Sequence, residues 1–203
     1  MAATTHAGDV SLVDPPAATP GRPRVLLVGT ALASAAVVML FAGMLALYIS
    51  ARHSALAAPK GTWFPSGAIG LTGANAALFS LLLSIPMVHW ASQAARANDR
   101  MNTWIALGLT TMLGAAYINA TTYIWTNSHI GVKKTPGVML YTVTGAHVAL
   151  VVVAMVFLVV SAFRTLGSGN ARLQREVVTA TVLFWDVTVA IFGVLWFAIY
   201  VTK

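Results

Sequence analysis

Five long apolar segments follow one another along the chain, separated by short polar connections. They cover residues 25–50, 67–93, 103–125, 137–163 and 177–201. Each exceeds the roughly 20 residues that cross about 30 Å of hydrocarbon at 1.5 Å per residue. The pattern therefore predicts an all-α, polytopic membrane protein that forms a bundle of five transmembrane helices.

The segment before the first apolar run has a different composition. Residues 1–23 are rich in Ala, Thr and Pro and contain few bulky apolar side chains. Such a segment buries too little surface to offset the entropy lost on ordering. We therefore expect a flexible cytoplasmic tail over residues 1–23, followed by a single transmembrane domain over residues 24–203.

The amino-acid composition is that of a membrane protein and argues against several other classes of protein. Hydrophobic residues make up 58% of the 203 positions, charged residues only 8%, and the net charge is +7. The basic residues lie in the connections between apolar runs, where they serve as topology signals and lipid contacts, so no nucleic-acid partner is expected. Cysteine is absent, which excludes disulfides, thiol nucleophiles and thiolate metal sites.

The distribution of basic residues predicts the orientation in the membrane. Seven fall on one side of the predicted helices and five on the other, and the richer side is normally cytoplasmic. This places the N-terminus inside and the C-terminus outside. The inner set is Arg22, Arg24, Arg96, Arg100, Arg164, Arg172 and Arg175, and the outer set is Arg52, Lys60, Lys133, Lys134 and Lys203.

Small and polar residues recur at helical spacing on three of the predicted helices. Because lipid-embedded helices associate through close approach, such stripes mark contacts within a bundle or against a partner rather than catalysis. The candidate packing positions are Gly108, Thr111 and Ala115 on the third helix, Gly70 and Ala74 on the second, and Gly29 and Ala33 on the first. Asn119 and Thr122 continue the third-helix stripe and are candidate buried polar positions.

Few residues could carry chemistry. Asp186 and His147 lie deep in the fifth and fourth segments, whereas His89 lies near the inner end of the second. His147 and His89 differ in depth by roughly 18 Å, too much for two axial ligands of one haem. We therefore expect no catalytic, cofactor-binding or metal-ligating residue in this chain.

Asp186 permits two interpretations. A charge at this depth is costly, so the residue is either functional or a neutral carboxyl bonded to a neighbouring helix. Its axial separation from His147 is roughly 9 Å, too long for a direct hydrogen bond. We expect a neutral Asp186 bonded to a hydroxyl, an amide or a backbone carbonyl of another helix.

Four segments together resemble subunit III of haem–copper cytochrome c oxidases, in its short five-helix bacterial form. They are "LFAGMLALYISAR" in the first helix, "TNSHIG" after the third, "YTVTGAHVAL" in the fourth and "FWDVTVAIFGVLWFAIYVTK" in the fifth. The resemblance covers most of residues 25–203. It rests on the order of the four segments, since none of them is specific alone.

The chain departs from the family at its polar positions. Val37 and Thr122 occupy positions where the family usually has Glu, and Leu150 replaces the second His of "H-x-x-H". The family's "W-H-x-x-D" becomes Trp185 and Asp186, with Val189 at the acidic position. These changes remove most of the polar interior linked to proton uptake in the family.

The resemblance implies a divergent, non-catalytic subunit in a bacterial plasma-membrane oxidase. It implies that the chain packs on and stabilises a haem–copper catalytic subunit, beside other oxidase subunits, and that haem and copper reside in that partner. The complex would pass electrons from cytochrome c or an equivalent donor to oxygen. The resemblance further implies bound phospholipid in a cleft between the first two helices and the remaining three. Two alternatives stay open: the related subunit of a nitric oxide reductase, and a small transporter that uses Asp186 and His147.

Overall fold

The structure, a computed structural model, describes residues 24–59, 61–65, 69–128, 130–167 and 171–202. These residues form helices and connections without a strand, so the all-α prediction is confirmed for them. The proposed tail over residues 1–23 lies outside the described residues. The helices are α1 (Val25–Ala57), α2 (Leu71–Arg96), α3 (Arg100–Asn127), α4 (Thr135–Gly167) and α5 (Ala171–Trp196), which continues as a π-helix, Phe197–Val201.

Four of the five helices are long and apolar enough to cross a membrane: α1, α2, α4 and α5 with its π-helical extension. α3 has 28 residues, which is a sufficient length. It falls below the others in hydropathy because Thr, Gly, Ala and Asn occupy many of its positions. The five predicted segments therefore correspond to five helices, one of which is unusually polar for a lipid environment.

Two helices extend well beyond the apolar segments that predicted them. α1 continues past residue 50 to Ala57, and α5 begins at Ala171 rather than near residue 177. The added stretches, "ARHSALA" and "ARLQRE", are rich in Ala, Leu, Arg, Gln and Glu. These residues favour the helix while being too polar to extend a hydrophobic run.

The four helices α2, α3, α4 and α5 pack in a ring, each against the next, and α5 closes it by contacting α2. α1 lies outside this ring, mainly against α5 with a smaller contact to α4. α1 and α2 do not form a packed pair, and the most extensive helix contact joins α2 to α3. The predicted cleft between the first two helices and the other three is therefore wrong, because the short turn at residues 97–99 keeps α2 beside α3.

Small residues permit the close contacts in the ring. A Cβ atom built on Gly73 would lie 2.8 Å from Ile124 Cγ1, and one built on Gly114 would lie 2.9 Å from Trp185 Cη2. Neither position has room for a larger side chain. Gly73 thus permits the close approach of α2 to α3, and Gly114 makes room for the Trp185 ring of α5 and the Met155 side chain of α4.

The two ends of the bundle are held by polar contacts. At one end, the Trp63 indole donates to the Tyr48 hydroxyl at 3.0 Å, and the Arg52 guanidinium donates to the Thr202 hydroxyl and carbonyl. At the other end, Asn98 adopts a positive φ of 58° between α2 and α3, and Arg175 donates to its side-chain oxygen at 3.1 Å. The turn between α2 and α3 and the start of α5 therefore meet at this second end.

Candidate functional site

His147 is fully buried at the centre of the bundle. Its Nε2 atom lies 3.0 Å from the Thr188 carbonyl oxygen, and its Nδ1 atom lies 2.7 Å from the Tyr117 hydroxyl. A carbonyl oxygen only accepts, so Nε2 carries the hydrogen and Nδ1 accepts from Tyr117. This network assigns a neutral imidazole that bridges α3, α4 and α5.

Aromatic rings enclose the imidazole and bring a fourth helix to it. The ring centroids of Phe41, Tyr117 and Phe192 lie 5.8, 5.4 and 5.2 Å from that of His147. Phe41 belongs to α1, so the contact with His147 helps to place this outer helix on the ring of four. The surroundings are aromatic and close-packed, which strengthens both hydrogen bonds of the imidazole.

The engagement of both ring nitrogens decides what His147 can do chemically. A metal or haem iron would need one nitrogen lone pair, and the only lone pair in this tautomer accepts the Tyr117 hydroxyl. Within the described part of the chain, no group of three or more His, Asp or Glu side chains is placed to hold a metal. The arrangement at His147 is that of a structural link between helices.

Asp186 pairs with His89, and this contact joins α5 to α2. Asp186 Oδ2 lies 3.1 Å from His89 Nε2, and the two side chains are 36% and 49% exposed. The other carboxyl oxygen, Oδ1, is buried without a hydrogen-bond partner among the described residues. Asp186 is thus half-buried on the outer surface of the bundle, and its partner is an imidazole rather than the expected hydroxyl, amide or carbonyl.

The error about the partner of Asp186 has a geometric cause. The predicted second helix began at residue 67, which placed its midpoint near residue 80 and His89 far toward the inner end. α2 in fact spans Leu71–Arg96, and its midpoint lies between residues 83 and 84. His89 is therefore only about 8 Å from the midpoint, close enough in depth to reach Asp186.

His147 and Asp186 have separate sets of partners. His147 bonds to Tyr117 and Thr188, whereas Asp186 bonds to His89. The structure thus assigns them to two unconnected networks and gives no support to a substrate site shared by the two residues.

The remaining candidate polar positions lie on the outside of the bundle. Asn119 and Thr122 are exposed, so the prediction that they are buried is wrong for this chain. Thr122 donates to the Ile118 carbonyl of its own helix at 2.9 Å. Both side chains face away from the other four helices.

The candidate packing positions divide between the inside and the outside. Ala74 is fully buried, and Thr111 is half-buried. The others are exposed, and their contact with a partner stays a prediction; they are Gly108, Ala115, Gly70, Gly29 and Ala33.

Sequence reasoning missed the contacts that join the helices most tightly. The Trp185 indole is fully buried and donates to Ser84 Oγ at 2.8 Å, which links α5 to α2. Ser161 and Thr181 hydroxyls lie 2.5 Å apart and link α4 to α5. Single hydroxyls in apolar helices gave the only available signal, and that signal names no partner.

Comparison with known proteins identifies one relationship. Residues 21–203 match the family described as "Cytochrome c oxidase subunit III". The match covers nearly the whole chain, including every helix of the structure. Among curated proteins, no match is found.

Proposed function

Because the chain belongs to the cytochrome c oxidase subunit III family, we propose that it is a non-catalytic subunit of a respiratory terminal oxidase. It packs on the haem–copper catalytic subunit, stabilises it, and stands beside the other oxidase subunits. The complex reduces oxygen with electrons from cytochrome c or an equivalent donor. The family match is the observation that carries this proposal.

The geometry at His147 agrees with a role that does not involve redox chemistry. This fully buried histidine uses both ring nitrogens in hydrogen bonds between helices. Haem and copper then belong to the partner subunit. The residues of this chain supply a scaffold in which the central histidine is held by two hydrogen bonds to neighbouring helices.

The outer face of α3 supports packing against another protein. α3 is the helix with insufficient hydropathy to count as a membrane span, and its exposed side presents Gly108, Ala115, Asn119 and Thr122. Small residues let a second helix approach closely, and polar ones can bond to it. Such a surface is better matched to a protein neighbour than to lipid tails.

The orientation and the membrane form part of the proposal. We place the N-terminus inside and the C-terminus outside a bacterial plasma membrane. The structure brings Arg24, Arg96, Arg172 and Arg175 to one end of the bundle, while Arg52 bonds to Thr202 at the other. This division follows the arginine-rich and arginine-poor sides that the positive-inside rule would assign.

Purification of the chain from its native membrane tests the proposal. An affinity-tagged chain is extracted in mild detergent, and the preparation is examined by a reduced-minus-oxidised haem spectrum and by identification of the proteins that co-purify. We expect haem-bearing subunits and oxygen consumption. Nitric oxide reduction without oxygen consumption would assign the chain to the reductase alternative, and a preparation without haem would refute the oxidase assignment.

A further inference from the structure

His89 of α2 and Asp186 of α5 form a polar pair on the outside of the bundle, at membrane depth. Asp186 lies roughly 16 Å along α5 from Arg175. His89 lies roughly 10 Å along α2 from Arg96. The His89 and Asp186 side chains are 49% and 36% exposed. Hydrocarbon offers such groups no hydrogen bond, so the pair needs a cover other than lipid tails.

The hydrogen bonds within the chain use little of the capacity of this pair. The imidazole Nε2–H donates to Asp186 Oδ2 at 3.1 Å, and no second hydrogen bond to either side chain is found among the described residues. A carboxylate can accept about four hydrogen bonds, and an imidazole with its hydrogen on Nε2 accepts one more at Nδ1. The pair therefore presents free acceptors and no free donor.

Other polar side chains at this depth are paired within the chain. His147 uses both ring nitrogens in bonds to neighbouring helices. The Trp185 indole, adjacent to Asp186 in sequence, donates to Ser84 Oγ at 2.8 Å. The same turn of α5 thus pairs its indole completely and leaves its carboxyl with a single donor. This difference indicates that the missing donor comes from outside the chain.

The surface beside the pair is shaped to receive a helix. Small residues follow Asp186 on its side of α5, and a Cβ atom built on Gly193 would meet nothing within 4 Å. On α2, Pro86 has no N–H to donate to the Leu82 carbonyl, which thereby lacks its regular helical donor. We call this surface the α2–α5 face; its residues are Leu82, Pro86 and His89 of α2 and Asp186, Ala190 and Gly193 of α5.

We propose that the α2–α5 face receives a transmembrane helix of another oxidase subunit, and that this helix presents a hydroxyl or amide donor to His89 and Asp186. A donor matches the free acceptors, and a neutral donor brings no further charge into the membrane. Ala190 and Gly193 let the two backbones approach closely. The face shares no residue with the outer face of α3. The inference rests on the proposed function for the identity of the partner as an oxidase subunit.

The test compares the subunits that co-purify with variants of the tagged chain, with the haem spectrum recorded on the same samples. The decisive variant combines His89→Leu with Asp186→Leu, which makes the pair apolar and leaves neither member unpaired within the chain. A pair that only joined α2 to α5 would then be dispensable, and every subunit would be retained. We expect instead that recovery of one subunit falls about tenfold, because its buried donor has lost its acceptors. The amount of tagged chain in the membrane should stay unchanged.

Matched variants separate the hydrogen bond from the helix packing. Asp186→Asn keeps an acceptor and should retain the subunit. Ala190→Leu should lower its recovery, since added volume separates two closely packed helices. Ala149→Leu makes the same change at an exposed position of α4 and should not.

Several results would overturn the inference. They are an unchanged set of subunits in the double variant, equal effects of Ala190→Leu and Ala149→Leu, and loss of a second copy of this chain in place of another subunit. A loss in Asp186→Asn as large as in the double variant would require a charged donor and would refute the hydroxyl or amide. A haem-bearing complex that the double variant leaves intact would refute the α2–α5 contact alone. A haem-free preparation that loses a membrane-spanning partner in the double variant would refute the oxidase assignment alone.

Discussion

At the scale of single residues, His147 and Tyr117 form a buried hydrogen-bonded pair that joins α4 to α3. Both side chains are fully buried, and the hydroxyl donates to the imidazole at 2.7 Å. Water is not available at that depth to replace a lost partner. The pair therefore specifies the relative position of α3 and α4 more strictly than apolar packing would.

Removing both members of this pair should cost less stability than the sum of the two single removals. His147→Leu strands the Tyr117 hydroxyl, and Tyr117→Phe strands the imidazole Nδ1 atom, at about 1–3 kcal/mol each. The double variant leaves no unpaired group there and should cost less than the sum of the single variants. Thermal unfolding of the four proteins in detergent measures this coupling, and strictly additive losses would contradict it.

The second residue pair, Asp186 and His89, is half-exposed and lies 3.1 Å apart. Asp186→Asn keeps a group able to bond to the imidazole at nearly the same volume. We expect this variant to retain normal complex recovery and oxygen consumption. Asp186→Leu leaves His89 without its partner and should lower recovery of the assembled complex.

One result for Asp186→Asn would reverse that interpretation. Normal assembly with slower oxygen consumption, more so at higher pH, would mean that the carboxyl handles protons in turnover. His89→Gln is the matched variant on the other side of the pair. A purely structural pair would make the two amide variants behave alike.

Sequence reasoning located the deep polar residues but not their partners. The position of His147 within an apolar segment sufficed to predict that it lies at membrane depth. Its bonds to Tyr117 and Thr188 depend on the rotation of three helices about their axes, which hydrophobic runs leave undetermined. The same holds for Asp186, where an error of a few residues in a helix boundary changed the set of reachable partners.

At the scale of elements, the small-residue stripe predicted on α3 lies on the exposed face of the helix rather than on its buried face. The predicted contact stripe contains Gly108 and Ala115, whereas the buried side of the helix contains Thr110, Gly114 and Tyr117. Adjacent residues on a helix point about 100° apart, so a shift of one position exchanges inside for outside. Both faces of α3 carry small residues, and composition alone could not separate them.

One substitution on each face of α3 tests which face is buried. Gly114→Val places a side chain against the rigid Trp185 ring, since a Cβ atom at residue 114 would lie 2.9 Å from Cη2 of that ring. The variant should destabilise the chain by about 1–3 kcal/mol. Ala115→Leu adds volume to an exposed position and should leave the stability of the isolated chain unchanged. Unfolding in detergent compares the two variants, and equal losses would show that the assignment of the α3 faces is wrong.

The same Ala115→Leu variant probes the partner surface. If the outer face of α3 meets another subunit, the variant should reduce recovery of the assembled complex while the chain itself remains folded. Leu109→Ile, a volume-conserving change at an exposed position about 120° around the helix from Ala115, is the lipid-facing control and should be tolerated. Full recovery with Ala115→Leu would place the partner elsewhere.

The N-terminal cap of α3 should make the stability of the chain depend on pH. Asp99 caps the helix by accepting from the Asn102 backbone N–H at 3.0 Å and from its side-chain amide at 2.6 Å. These bonds, the backbone one first, lower the pKa of Asp99 below its ordinary value. The pKa of Asp99 is lower in the folded protein than in the unfolded chain. The cap therefore stabilises the folded protein fully when the pH is above the unfolded pKa. This stabilisation is lost as the pH falls through the folded pKa.

Thermal unfolding between about pH 5 and about pH 3 measures this contribution. Asp99→Asn keeps a capping oxygen that does not titrate, so the wild-type protein should lose stability relative to Asp99→Asn as the pH falls. Asp99→Ala should be less stable than the wild-type protein at pH 5 and should approach it at pH 3. Parallel curves for the wild-type protein and Asp99→Asn would exclude the cap as the titrating group.

At the scale of the whole molecule, hydrophobic runs determined the number and order of the helices but not their arrangement. Five segments were enough to predict five helices, and the turn at residues 97–99 keeps α2 beside α3. The separation of α1 from α2, and the packing of α1 on α5, depend on contacts across the entire chain, such as that of Arg52 with Thr202. No local pattern contains that information.

Orientation can be tested because the chain lacks cysteine. Single cysteines at Ala97 and Gly131 lie on opposite ends of the bundle, and both positions are exposed. Asn98 is less suitable, since its positive φ and its bond to Arg175 would both be disturbed. An impermeant maleimide added to intact spheroplasts should label the cysteine at residue 131 and not the one at residue 97; the opposite pattern would invert the topology.

The contact between α1 and α5 has a consequence for synthesis of the chain. Membrane helices are inserted in the order in which the ribosome makes them, so the first helix enters the bilayer before its main partner, the last helix, exists. Until then, the Ser34 and Arg52 side chains of α1 have only lipid, water or the insertion machinery beside them. A nascent chain halted before residue 171 would therefore leave α1 with only its smaller contact to α4, and quality-control proteases could recognise unfinished chains by this loosely held first helix.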